Sequence, residues 1–342
     1  MLLDSKNISK LSESTILKTP LKKLSLKATD LIYKDCISDL YIELDHKGIH
    51  YFRPKIYISD EWFCPEDSSL IAIPFYLCHP RLLSLEKKYF YEAEGSSRQS
   101  FVKLLRHECG HAIDHAFRLS YKKKWKELFG ESRRKYSTHN YKPKIHSQNY
   151  VQHLDNWYAQ AHPDEDFAET FAVWLDPKSN WAKKYEKWPK ALNKLNYIDS
   201  IAKNLLNKKV ALKTSNPLSP LKKIKKTYSN YLAKKKKELG DDYYFIYDKD
   251  LKSIFSLIKT TKSASSFIQQ NKVFLRNTLH LYLGEKKYSI DLILKKIIQD
   301  CKRLKLYTPQ KKSDDRLLSQ LSIYLSTLVS HYFFTGEFKR KL

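Results

Sequence analysis

The chain has 342 residues, a formal net charge of +26 and 42% hydrophobic residues, which favours two or three domains with a sizeable core. With only 7 Gly and 12 Pro, the composition excludes a low-complexity protein and favours a helix-rich one. The sequence has no run of about 18 apolar residues and no signal-peptide pattern, so we expect no transmembrane helix. Five scattered cysteines without a C-x-x-C pair are typical of reduced thiols, and we expect a cytoplasmic protein.

The N-terminal part of the chain predicts a small mixed structure. Residues 1–20 are polar and are expected to be flexible, whereas later stretches alternate in polarity or carry apolar residues one helical turn apart. Short strands are predicted over residues 21–26, 51–58 and 69–76, and helices over 30–46, 81–94 and 98–120.

The last of these predicted strands contains Ile71, Ala72 and Ile73. A strand at the lip of a cleft can bind an extended peptide through backbone hydrogen bonds. These three residues are therefore candidate substrate-binding residues, and an ordinary strand inside a sheet is the alternative interpretation.

The helix predicted over 98–120 contains His107-Glu108-Cys109-Gly110-His111, an H-E-x-x-H motif. Positions i and i+4 lie about 40° apart around a helix, so His107 and His111 point the same way and can share one Zn²⁺. Glu108 lies at the rim of that site, where a carboxylate can take a proton from a zinc-activated water. The alternative is a chance match on an amphipathic helix. Gly110 needs a reason inside a helix, such as close approach by another backbone.

A second helix is predicted from Pro163 to the Asp176-Pro177 stop. Glu169 lies among apolar residues on this helix, and a buried acid there requires a partner such as a metal. We therefore predict Glu169 as the third zinc ligand, with Asp166 orienting a ligand histidine from behind. Glu165 is more simply explained as compensation of the helix dipole. If Glu169 does not bind the metal, the alternative third ligands are Asp166, Glu165 or a loop histidine.

The C-terminal part of the chain is basic and helical. Residues 211–342 contain 28 Lys and Arg against 11 Asp and Glu. This excess favours contact with nucleic acid or another polyanion. The alternative is a general lysine bias, because 52 of the 63 basic residues are Lys, whereas bidentate phosphate sites tend to use Arg. Helices are predicted over 221–239, 250–258, 264–283, 288–306 and 313–335.

The motif-bearing stretches RHECGHAIDHAFRLS and NYVQHLDNWYAQAHPDEDFAETFAVWL resemble the bacterial family described as putative zinc-binding metallopeptidases. The stretch IAIPFYLCHPRL and the basic helical C-terminal part also resemble that family, so the resemblance is expected to span most of the chain. The pattern of HExxH and a downstream helical Glu is similar to gluzincin-type peptidases. HECGHAID and FAETFA also resemble, more distantly, the catalytic domain of anthrax-lethal-factor-type proteases. The resemblance implies His107, His111 and Glu169 as ligands and Glu108 as base.

One position departs from the thermolysin-like pattern, because Val173 stands four residues after Glu169 where an Asp is expected. Asp166 or Asp114 would then have to orient the ligand histidine. For the oxyanion that develops during hydrolysis, Tyr158 is the candidate donor and Tyr150 its rival.

Together these observations predict an α+β protein in which a zincin-like catalytic domain precedes an all-α domain. The expected function is zinc-dependent hydrolysis of peptide bonds, with Glu108 as general base and Zn²⁺ as cofactor. The alternative is a polyanion-binding protein with a structural or inactive zinc site. The predicted parts are a flexible N-terminus (1–20), the metallopeptidase domain (21–212), a linker (213–220) and a basic helical domain (221–342).

Overall fold

The computed structural model describes residues 5–134, 143–144, 147–155, 157–205, 208, 216–240 and 248–335. The chain forms two compact units. One contains Met1–Lys88 and Ala93–Leu232, and the other contains Tyr89–Glu92 and Ala233–Leu342. Residues 221–232, which the sequence placed in the C-terminal domain, therefore lie in the first unit, and residues 213–215 of the predicted linker lie outside the described residues.

The first unit is mostly helical. Its longest helix carries the H-E-x-x-H motif, and the helix rich in acidic residues packs against it. In chain order the helices are α1 (Ser5–Ile8), α2 (Glu13–Lys18), α3 (Asp35–His46), α4 (Pro80–Phe90), α5 (Arg98–Phe117), α6 (Lys123–Phe129), α7 (Pro163–Leu175), α8 (Trp181–Lys184) and α9 (Pro189–Leu205), and α10 (Tyr228–Gly240) crosses into the second unit.

A two-stranded parallel sheet lies in the first unit. Strand β1 (Lys55–Ser59) pairs with β2 (Leu70–Pro74), with Lys55 opposite Leu70 and Ser59 opposite Pro74. Every residue of β2 is buried, as expected for a strand covered on both faces. The helices and this small sheet agree with the predicted α+β class.

The start of the chain differs from the predictions. In residues 5–20, Ile8 and Ile16 are fully buried, so these residues pack on the first unit rather than extend from it. Residues 21–26, predicted as a strand, instead contain the 3₁₀ turn Leu21–Lys23. The backbone N–H of Leu21 donates to the carbonyl of Lys226, which fixes this turn against a later part of the chain.

The described part of the second unit is built on helices α11 (Asp248–Ile254), α12 (Ala264–Leu283), α13 (Lys287–Arg303) and α14 (Asp314–Thr335). Its core contains fully buried Leu275, Ile290 and Leu321. The short segment Tyr89–Glu92 belongs to this unit, because the Tyr91 hydroxyl donates to Asp291 at 3.0 Å. None of the described helices is long and apolar enough to cross a membrane.

Candidate metal centre

Helix α5 begins at Arg98 because Ser97, just before the helix, and Ser100, in its first turn, cap its start. The Ser97 hydroxyl accepts from the Ser100 backbone N–H at 3.1 Å, and the Ser100 hydroxyl accepts from the Ser97 N–H at 3.1 Å. This reciprocal arrangement satisfies two donors that a helix start otherwise leaves open. The helix then runs through the H-E-x-x-H motif, with both His107 and Glu108 buried.

Gly110 lies where α5 meets α7. A Cβ atom at this position would lie 2.8 Å from Ala168 Cα, 3.0 Å from Ala168 O and 3.2 Å from Phe171 Cβ. The first two are backbone atoms, which cannot rotate away. The prediction that Gly110 permits close approach by another backbone is therefore confirmed, and this contact sets how near the acids of α7 come to the histidines of α5.

Three side-chain atoms converge beside this contact. His107 Nε2 lies 3.1 Å from His111 Nε2. Glu165 Oε2 lies 3.0 Å from His107 Nε2 and 3.2 Å from His111 Nε2. In the part of the chain that the structure describes, these residues form the only buried cluster able to offer a metal three ligand atoms. The structure thus brings Glu165, rather than the predicted Glu169, to the shared face of the histidines.

Glu169 contacts the other side of His107. His107 Nδ1 donates to Glu169 Oε1 at 2.9 Å, and the Leu154 backbone N–H donates to Oε2 at 2.8 Å. Both oxygens are therefore engaged away from the Nε2 atoms. This is the geometry of an acid that orients a ligand histidine, the role predicted for Asp166 or Asp114.

Asp166 and Asp114 make their hydrogen bonds elsewhere. Lys194 Nζ donates to Asp166 Oδ2 at 2.6 Å, and the Ser120 N–H donates to Asp114 Oδ1 at 2.7 Å. Burial raises the pKa of each carboxyl to about 7. The buried Asp166–Lys194 pair links α7 to α9, and Asp114 holds the turn after α5, so neither side chain orients a histidine here.

The centre brings three buried carboxyl groups together. Glu108, Glu165 and Glu169 are 6, 7 and 0% exposed, and among the described residues the imidazoles of His107 and His111 lie beside them. Glu108 Oε2 is buried and has no hydrogen-bond partner. Buried carboxylates are costly without compensating charge, so the arrangement favours a bound cation.

The shifts in pKa follow from this crowding. Burial raises the pKa of Glu108, against the opposing charges of the two histidines. Burial also raises that of Glu165, but the neighbouring His111 and His107 hold its pKa well below the usual range. Burial lowers the pKa of His107, but its hydrogen bonds to Glu165 and Glu169 outweigh this and raise it well above its usual value.

Tyr158 stands at the edge of the centre. It begins the 3₁₀ turn Tyr158–Gln160, and its ring centroid lies 5.8 Å from that of His107. The rival Tyr150 instead has its ring 4.2 Å from Lys194 Nζ. Of the two tyrosines, Tyr158 is the one that contacts a residue of the centre.

Ile71, Ala72 and Ile73 do not form an open lip. All three are 0% exposed. Strand β1 pairs along one edge of β2, and on the other edge the Ala72 N–H donates to the carbonyl of Phe63 at 2.8 Å. A peptide has no free backbone group to pair with at Ala72, so the substrate-binding role that the sequence suggested for these residues has no structural support.

Comparison with known proteins bears on this centre. Residues 94–215 match the model of a family described as "Putative zinc-binding metallo-peptidase". The predicted family is confirmed for these residues. The matched region contains both α5 and α7. A search of curated proteins and a search of solved structures each returned no match. The gluzincin type and the likeness to lethal-factor-type domains stay predictions.

The donor set of the matched region fits zinc. Two imidazole nitrogens and one carboxylate oxygen are ligands that Zn²⁺ takes in catalytic sites. With bonds of about 2.0–2.1 Å, donors of a tetrahedral zinc site lie roughly 3.3 Å apart. The observed separations of 3.0, 3.1 and 3.2 Å are close to that value.

The sequence made Glu169 the predicted ligand and kept Glu165 as an alternative, although a signal for Glu165 was present. Glu165 and Glu169 are four residues apart and share one side of α7. The thermolysin-like pattern expects an acid four residues after the ligand Glu. If Glu165 is the ligand, Glu169 is that acid; if Glu169 is the ligand, the position holds Val173 instead. The charge-dipole interpretation of Glu165 concealed this pattern.

Proposed function

We propose that the metallo-peptidase region hydrolyses peptide bonds at a zinc site formed by His107, His111 and Glu165. The observation that carries this proposal is the convergence of their three ligand atoms within 3.2 Å of one another beside the unpartnered Glu108 Oε2. A purely structural zinc site would use four protein ligands and would have no need of an extra buried acid.

Zn²⁺ held by His107 Nε2, His111 Nε2 and Glu165 Oε2 would act as a Lewis acid and make a water molecule more acidic. Glu169 keeps the proton of His107 on Nδ1, which leaves Nε2 as the free ligand atom. Its second oxygen holds the Leu154 N–H and so ties the ligand histidine to the segment that leads to Tyr158.

Glu108 is the general base. Its Oε2 accepts the proton of the attacking water and later transfers it to the nitrogen of the leaving amine. Burial raises the pKa of this carboxyl, which suits a group that must both take and return a proton. Tyr158 is the donor for the developing oxyanion, because its ring packs beside His107.

The decisive experiment compares wild type with Glu108→Gln and with the exposed control Glu127→Gln. We expect one zinc per chain in all three by mass spectrometry, and cleavage of a mixed peptide library by wild type and the control only. Hydrolysis at wild-type rate by Glu108→Gln would exclude Glu108 as the base. Absence of zinc from wild type after reconstitution would exclude the metal site itself.

Binding of nucleic acid or another polyanion by the basic C-terminal part stays a prediction. Several of its cations are engaged within the protein, since Lys272, Arg276 and Lys295 all contact Asp291. The peptidase proposal is therefore the one that specific contacts support.

A further inference from the structure

Two loops of the second unit are joined to each other through their backbones. Residues 256–263 come after α11 and residues 304–312 come after α13, and the two stretches together are here called the loop pair. Ser256 and Tyr307 exchange both of their backbone hydrogen bonds, each at 2.8 Å. The loop pair is therefore held by the kind of bond that joins antiparallel strands.

Further hydrogen bonds fix the first loop between its ends. The Thr308 N–H donates to the carbonyl of Lys262 at 3.0 Å, and the Thr260 hydroxyl donates to the Thr308 carbonyl at 3.1 Å. The Ile258 N–H donates to the Ser256 hydroxyl oxygen at 3.0 Å. The side chains of this loop are thus presented to solvent by a backbone that has defined partners.

The first loop exposes two adjacent aliphatic side chains. Leu257 is 64% exposed and Ile258 is 74% exposed, whereas Ile254 and Phe255 just before them are buried in the core of the second unit. A single exposed aliphatic residue is ordinary on a protein surface. Two in succession on a hydrogen-bonded loop that cannot turn them inward are typical of a surface that another molecule covers.

The charged residues of the loop pair are all basic. Its two stretches contain five Lys and no Asp or Glu. Lys262 pairs with Asp314 at 2.8 Å. Lys259, Lys305 and Lys311 are exposed, and none of the three forms an ion pair among the described residues. These three lysines therefore differ from the cations around Asp291, which are engaged within the protein.

Exposed aliphatic side chains among unpaired lysines fit the surface of an anionic lipid bilayer. Aliphatic chains enter the apolar boundary of the bilayer, while lysines contact the anionic headgroups and lay their methylene stems along the apolar part. A nucleic acid would use the lysines, but its bases stack on aromatic rings and have little use for Leu257 and Ile258. The combination of the two kinds of side chain favours lipid.

We propose that the loop pair docks the protein on anionic membrane surfaces, with Leu257 and Ile258 entering the lipid and Lys259, Lys305 and Lys311 contacting the headgroups. This surface lies wholly in the second unit and does not depend on the zinc centre. Two aliphatic side chains bury less apolar surface than a myristoyl chain, which by itself binds membranes only marginally and reversibly. The lysines are therefore required, and the attachment is reversible.

The test measures sedimentation of the zinc-loaded full chain with vesicles of phosphatidylcholine, either alone or with about 30% phosphatidylserine. We expect binding to the mixed vesicles only. The double variant Leu257→Ser, Ile258→Ser should bind them about tenfold more weakly or worse. The control is Leu281→Ser, Tyr282→Ser, which changes an adjacent pair on α12 that is 74 and 79% exposed, and it should stay within about twofold of wild type.

Equal binding by the two double variants would overturn the proposal, and so would equal binding of wild type to both kinds of vesicle. All four substituted side chains are exposed, so each variant should unfold at the temperature of wild type, which thermal unfolding checks.

A second pair of variants separates docking from the general attraction of a chain with net charge +26. One variant replaces the three unpaired lysines of the loop pair, as Lys259→Gln, Lys305→Gln and Lys311→Gln. The control removes the same charge from exposed lysines of the first unit, as Lys222→Gln, Lys223→Gln and Lys225→Gln. We expect vesicle binding to fall about tenfold or more in the first and at most about threefold in the control.

Equal losses in the two triple variants would show that net charge alone attracts the protein and would overturn the proposal. Duplex DNA is the second probe. If Leu257→Ser, Ile258→Ser binds vesicles like wild type, and the loop lysines affect DNA and vesicles by the same factor, the surface is one for nucleic acid and the membrane proposal is wrong.

Discussion

Each unit contains buried carboxylates, and the two units differ in which groups offset the cost of burying that negative charge. In the second unit Asp291 is 1% exposed, and it contacts Lys272 at 2.8 Å, Arg276 at 3.0 Å and Lys295 at 3.1 Å. In the first unit the carboxylates of Glu108, Glu165 and Glu169 are also buried, and among the described residues the imidazoles of His107 and His111 lie against Glu165 while His107 also contacts Glu169.

The kind of basic partner distinguishes a cluster that stabilises the fold from one that we propose binds a metal. Asp291 has its own cations, which remove most of the penalty of burial and leave nothing for a ligand to supply. In the cluster around His107, the described contacts of Glu165 and Glu169 are with imidazoles rather than with Lys or Arg, and Glu108 Oε2 has no hydrogen-bond partner among the described residues. The unpartnered carboxylate oxygen beside ligand-type imidazoles is the feature that supports the proposed cation site.

The largest effect is expected from removing the proposed ligand Glu165 from the cluster around His107. Glu165→Ala should weaken zinc binding more than about 100-fold, whereas Glu169→Gln should weaken it about 10- to 100-fold, the range for an acid that only orients a ligand histidine. Competition with a chelator of known affinity measures both. The reverse order would return the ligand role to Glu169.

A second substitution is expected to push helices α5 and α7 apart at Gly110. Gly110→Ala places a methyl group against the backbone of Ala168, so we expect a loss of about 1–3 kcal/mol in the free energy of unfolding together with weaker zinc binding. Chemical denaturation and chelator competition measure the two effects. Adding Ala168→Gly should not rescue the variant, because the close atoms are Cα and O. A fully stable Gly110→Ala would show that the helices do not cross so closely.

For Asp291 and its three cations, we expect a substitution to change the free energy of unfolding independently of zinc. Asp291→Asn leaves three cations without their carboxylate and should lower the free energy of unfolding by about 3 kcal/mol at pH 7. Thermal unfolding with and without zinc measures it, and the exposed Asp315→Asn is the control. A zinc-dependent effect would contradict the contrast between the clusters.

The same variant has a defined pH dependence. Burial raises the pKa of Asp291, but Lys272 and Lys295 outweigh it, and the pKa lies below the usual range. A carboxyl with a lowered folded-state pKa contributes stability above its unfolded pKa of about 3.9 and loses it as pH falls through the folded value. The difference between wild type and Asp291→Asn should therefore be constant above about pH 5 and shrink below pH 4.

The smallest expected effect concerns the basic surface. With several cations already paired, we expect only weak binding of double-stranded DNA, in the range of about 10⁻⁴–10⁻⁶ M, that disappears between 50 and 200 mM salt, values typical of non-specific contact. Fluorescence anisotropy at several salt concentrations measures it. No binding at the lowest salt would remove the polyanion alternative.

Much of the helical structure could be predicted because its signals are local. The motif helix, predicted over 98–120, spans Arg98–Phe117, and the helix predicted over 264–283 spans Ala264–Leu283. The strand predicted over residues 21–26 is wrong. Its alternating leucines are buried, but they belong to a short 3₁₀ turn and the chain after it. The inclusion of Tyr89–Glu92 in the second unit had no local signal, since it depends on partners such as Asp291, 200 positions later.

The sequence by itself determined that His107, Glu108 and His111 share one helix turn, because a 3.6-residue period fixes their relative directions whatever surrounds them. It also determined that an acid on a second helix would join them. Which acid could only be decided by the tertiary structure. Glu165 and Glu169 lie one turn apart on the same side of α7, and the position at which that helix crosses Gly110 brings Glu165 to the Nε2 atoms and Glu169 to Nδ1.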